Sequence, residues 1–96
     1  MPEIANENND TITRQKRLIY RSWHRGTREI DLILGRFAQA HVPNFDDRQL
    51  DLYERVLLNS DPDLYNWVAG VEPVPFSEQN EVMNLLTVFS VATGQG

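Results

Sequence analysis

The chain has 96 residues, 41% of them apolar and 24% charged, with a formal net charge of −5 and no cysteine. That is one domain's worth of chain, apolar enough to fold alone, too small for a deep desolvated active site, and unlike either a disordered or a membrane-embedded protein in composition. Without cysteine there are no disulfide staples, thiolate metal sites or cysteine nucleophiles, so a small secreted disulfide scaffold is excluded and an intracellular protein is expected.

Residues 1–10, MPEIANENND, carry three acids and no base. This differs from a signal peptide or a mitochondrial presequence, and it predicts a flexible acidic tail ahead of a helical domain over 11–92. Thr11 or Thr13 can cap a first helix running to about His24, with Leu18, Ile19 and Trp23 at helical spacing and Gly26 as a stop signal. Thr27 can cap a second helix whose Ile30, Ile33, Leu34, Phe37, Ala38 and His41 form the strongest amphipathic pattern in the chain, until Pro43 blocks it. Gly35 inside that pattern costs about 1 kcal/mol relative to alanine, which predicts close approach of a packed neighbour.

Asn44 or Asp46 starts a third helix with Leu50, Tyr53, Val56 and Leu57 inward and an end near Asn59. Asp61-Pro62-Asp63 reads as a capping carboxylate followed by a first-turn proline, opening a short fourth helix that carries Leu64, Trp67 and Val68 and ends at Gly70. After the rigid Pro73-Val74-Pro75 connector, Ser77 and Glu78 open a fifth helix with Val82, Leu85, Leu86 and Phe89 inward, and residues 93–96 form a second flexible tail. The expected fold is an all-α, single-domain, five-helix bundle.

Charge is divided along the chain. Residues 1–10 carry −3, residues 11–36 carry +5 and residues 37–96 carry −7. Helices of opposite sign can pack against one another, or the basic face can meet a partner. Catalytic constellations are missing. His24 and His41 lack the spacing of a helical zinc pair, and His41 on the apolar stripe reads as a packed residue. Isolated glycines make no phosphate loop. Asp46, Asp47, Asp51 and Glu54 read as a solvated helix face rather than a cation site. No metal, no stably bound cofactor and no enzyme are expected, and the acidic balance weighs against the alternative of a small helical nucleic-acid-binding module. Another protein-interaction module would fit the same composition.

One segment stands out, Trp23-His24-Arg25-Gly26-Thr27-Arg28-Glu29-Ile30-Asp31. A turn between two helices brings a cation, a flexible glycine and a carboxylate together. Arg25 and Glu29 can pair across it and fix the interhelical angle, or project outward and bind.

Arg25-Gly26-Thr27-Arg28-Glu29 has the form RGxxE. With Leu32-Ile33-Leu34-Gly35-Arg36-Phe37 and Asp61-Pro62-Asp63-Leu64-Tyr65-Asn66-Trp67 it resembles the succinate dehydrogenase flavinylation factors, or FAD assembly factors, over roughly residues 14–90. The resemblance implies a small five-helix protein, non-catalytic and chaperone-like, that binds the flavoprotein subunit of succinate dehydrogenase or fumarate reductase. It promotes covalent attachment of FAD, through a client histidine attacking the isoalloxazine methyl carbon. It further implies that Arg25, Gly26 and Glu29 make the contact, with Trp23, Arg28 and Asp31 in support, and that FAD belongs to the client. The accompanying expectations are a bacterial cytoplasmic location, a monomer when free, and no membrane or nucleic-acid partner.

Overall fold

A computed structural model describes residues 2–92, with side-chain environments for 10–89. Five α-helices and no strand occur among the described residues: α1 (Pro2–Trp23), α2 (Arg28–His41), α3 (Asp47–Leu57), α4 (Asp61–Val68) and α5 (Glu81–Ala92). Short 3₁₀ turns, Val42–Asn44 and Phe76–Glu78, lie between α2 and α3 and before α5. The second tail expected over 93–96 lies outside the described residues.

The apolar stripe of α2 is the centre of the bundle. Ile30, Ile33, Leu34, Phe37 and Ala38 are all buried, and α1 packs along α2 while α4 and α5 close its other sides. The anticipated inner residues of α3 and α4 are buried as well. His41 stacks on Phe37 with ring centroids 4.8 Å apart and meets Phe89 edge-on at 5.6 Å, so it is the packed histidine its stripe position suggests. Below this aromatic group Tyr53 is fully buried, and its hydroxyl lies 2.6 Å from that of Ser22. The Ser22 hydroxyl donates to the Leu18 carbonyl at 2.8 Å. That uses its one hydrogen, so Tyr53 is the donor in the pair.

The helix boundaries differ from expectation at three starts. The first helix begins at Pro2, not at Thr11 or Thr13, so the expected acidic tail is helical. Pro2 suits a first helical turn, and nothing between it and Gly26 breaks a helix. The fourth helix is capped by Ser60, whose side chain accepts from the Asp63 amide at 3.3 Å, leaving Asp61 in the first turn with its carboxylate free for another partner. The fifth helix starts at Glu81 rather than Ser77, because Asn80 caps it by accepting from the Met83 amide at 2.8 Å. On α5, Met83 takes the buried place expected of Leu85, which is 36% exposed. The third helix starts as expected at Asp46, which forms a reciprocal capping box with Gln49.

The two charge blocks meet inside the molecule. Arg14 of α1 donates to Asp51 at 2.5 Å and to Glu54 at 2.7 Å on α3, and Arg21 lies 3.5 Å from Glu54. Asp51 and Glu54 are therefore engaged by arginine, and no cluster of metal-ligating side chains occurs among the described residues.

Candidate functional site

The segment between α1 and α2 is a tight turn in which Gly26 has φ of +115°, a conformation L side chains rarely adopt. Its fixing residue is Asp31, whose Oδ1 accepts from the backbone amides of Arg25 at 2.7 Å and Gly26 at 3.1 Å. Thr27 has the extended backbone of an N-cap, but its hydroxyl makes no capping bond. Asp31 instead reaches back from the helix to hold the two residues of the turn ahead of Thr27.

Arg25 points inward. Its Nε donates to Asp61 at 2.9 Å, while its two terminal nitrogens donate to the carbonyls of Leu57 at 2.5 Å and Asn59 at 2.6 Å. Those carbonyls lie at the end of α3, where helix carbonyls lack internal partners. Asp61 opens α4. One planar guanidinium thus ties the turn to the corner between α3 and α4, which a lysine could not do with a single ammonium. Of the two arrangements the sequence leaves open for Arg25, neither forms: its partner is Asp61, not Glu29, and it does not project outward.

Trp23 is half-buried, its indole lying flat against Gly35 of α2, where a Cβ would collide with the ring. The packed neighbour predicted at Gly35 is therefore Trp23. The six residues singled out in sequence accordingly divide into two groups. Trp23, Arg25 and Asp31 hold the turn in place, whereas Gly26, Arg28 and Glu29 are exposed. Neither Arg28 nor Glu29 has an ion pair or side-chain hydrogen bond among the described residues.

Glu29 stands on the rim of an open groove of about 390 Å³ between the starts of α2 and α4, lined by Thr27, Ile30, Asp61, Pro62, Tyr65 and Asn66. Tyr65 is 41% exposed there. The groove was not apparent from the sequence, although the α4 pattern contains a signal for it. With Leu64, Trp67 and Val68 turned inward, Tyr65 must face out. Beside the groove, the Arg25–Asp61 pair ties the turn before α2 to the start of α4.

Residues 16–90 match the profile of a protein family described as flavinator of succinate dehydrogenase. The chain belongs to that family. Among curated relatives, the mitochondrial succinate dehydrogenase assembly factor 2 of Drosophila grimshawi is 35% identical over 89 residues, covering 90% of this chain and 60% of its own length. The assembly factor 2 of Culex quinquefasciatus is 38% identical over 90 residues (90% and 56%), and that of Dictyostelium discoideum is 36% identical over 84 residues (88% and 60%). The chain spans about 55 to 60% of the length of these relatives. No solved structure matches it.

These relatives are eukaryotic and named as mitochondrial, which overturns the expectation of a bacterial cytoplasmic protein. Missing cysteines point to a reducing compartment and do not separate one such compartment from another. Among the described residues, no helix is long and apolar enough to cross a membrane.

Proposed function

We propose that this member of the flavinator family assists succinate dehydrogenase assembly by binding the flavoprotein subunit through the exposed edge of the α1–α2 turn, and so promotes covalent attachment of FAD to that subunit. The observation that carries the reading is the division of labour in the turn. Arg25 and Asp31 spend their polar groups inside the molecule, leaving Glu29 unpaired on the rim of a groove and Gly26 bare beside it. A solvent-facing, unpaired carboxylate beside a fixed turn whose glycine has no side chain suits close contact with polar groups of a folded partner.

The role needs no catalytic group from this chain. FAD enters as the group attached to the client, and the client supplies the nucleophile. The assembly factor favours the reaction-ready client conformation, and a binding preference of about 1.4 kcal/mol for it over competing conformations raises its population about tenfold.

The test combines the apo flavoprotein subunit with FAD, with and without the protein, and follows flavin fluorescence in the client band of a denaturing gel. The expected result is a faster or fuller covalent signal with the wild type and none above background with Glu29→Ala. An unchanged signal, where the client alone reacts slowly, would refute the proposal.

A further inference from the structure

Once the helices have packed, the basic amino-terminal third falls into two sets of cations. Arg14 and Arg21 face the acidic α3, and Arg25 is held by Asp61. Farther round α1, with Arg17 one turn from both Arg14 and Arg21, Lys16 and Arg17 are exposed and have no ion pair or side-chain hydrogen bond among the described residues. The same side carries Tyr20, 63% exposed, with its ring stacked on that of His24 at a centroid distance of 4.0 Å and an interplanar angle of 20°. His24 Nδ1 donates to the Tyr20 carbonyl at 2.7 Å, which anchors the imidazole to the helix.

We propose that this outer face of α1, formed by Lys16, Arg17, Tyr20 and His24, docks an acidic helix of a partner protein. The inner face of the same helix shows how such a helix is held. There Arg14 and Arg21, seven residues apart, grip Asp51 and Glu54, three residues apart on α3. Arg17 and His24 repeat the seven-residue spacing on the adjoining stripe of the helix, with Lys16 and Tyr20 alongside them. The stacked pair is an aromatic surface already ordered before binding, so little side-chain freedom is lost on contact. On a protein of net charge −5, this local excess of positive charge steers an acidic partner to one orientation. The proposal does not rest on the task of the α1–α2 turn.

The test is a titration of the isotope-labelled protein with a stapled helical peptide bearing an Asp and a Glu three residues apart, beside its Asn/Gln twin, followed by nuclear magnetic resonance. Saturable shifts confined to the outer face of α1 are expected, weakened about tenfold or more by the pair Lys16→Glu and Arg17→Glu, reduced by added salt, and absent with the twin. Glu29→Ala should leave the binding unchanged, which separates this face from the turn. Circular dichroism of the charge-reversed protein should match wild type, since both residues are exposed. Equal binding of the twin, shifts centred on the groove, or tighter binding to phosphatidylglycerol vesicles or duplex DNA than to the peptide would each overturn the proposal.

Discussion

A side chain at position 26 would find empty space around it and the wrong backbone angle beneath it. A Cβ added to Gly26 would meet no atom within 4 Å, yet the backbone φ there is +115°. Gly26→Ala should therefore lose about 1 to 2 kcal/mol of stability through backbone strain alone, measured by urea unfolding. Gly26→Arg should lose that and client binding too, while circular dichroism at room temperature still reports a helical protein. Glu29 is the opposite case. With no partner to lose, Glu29→Ala should change stability by less than about 0.5 kcal/mol, and its whole effect should appear in the flavinylation gel. A marked drop in its unfolding midpoint would mean that Glu29 supports the fold. These two residues were legible in the sequence as a turn glycine and an early-helix carboxylate. The inward course of Arg25 was not, because its partners are the carbonyls of Leu57 and Asn59 and the carboxylate of Asp61, more than thirty positions away. Local spacing places Glu29 one helical turn from Arg25 and makes it the obvious partner; only the packed bundle offers a better one.

At the scale of the helices, the Trp23–Gly35 contact decides the sign of a substitution that propensity alone would get wrong. In an ordinary helix interior, glycine to alanine gains about 1 kcal/mol. At Gly35 the added methyl would overlap the indole ring, and the colliding atoms belong to the ring body, not to a flexible tip. Gly35→Ala should instead destabilise the protein by about 1 to 3 kcal/mol. In a Trp23→Ala background the same change should turn neutral or stabilising, since the obstruction is gone, and a double-mutant cycle reads the difference directly. Additive effects would show that α1 and α2 do not meet in this way. The inner faces of α2, α3 and α4 were readable from period alone, because each carries a clean apolar stripe. The starts of α1, α4 and α5 were not. Ser60 and Asn80 cap helices in place of the stronger-looking signals at Asp61 and Ser77, and a cap is settled by which backbone amide a side chain reaches, not by residue type.

For the molecule as a whole, the ion pairs among the described residues all use arginine, and the chain contains a single lysine, Lys16, which is exposed. Arginine keeps its charge throughout the alkaline range, so raising the pH leaves these pairs intact. Tyr53 is the group that responds. Burial pushes its hydroxyl well above the ordinary tyrosine value of 10.0. Because the folded value lies above the unfolded one, the unfolded chain loses this proton first. Stability linked to Tyr53 is therefore complete below about pH 10 and declines above it, by about 1.4 kcal/mol for each pH unit. Tyr20 and Tyr65 are exposed and Tyr53 is the buried tyrosine, so Tyr53→Phe should flatten the alkaline limb of a stability–pH curve. The substitution should cost about 1 kcal/mol near neutral pH for the lost hydrogen bond, leaving Ser22 still bonded to Leu18. Denaturant midpoints between about pH 8 and about pH 12, which bracket the ordinary tyrosine value, would show wild type falling and the phenylalanine protein holding level. Parallel decline in both would place the alkaline sensitivity elsewhere and remove Tyr53 as the buried acid at the centre of the bundle.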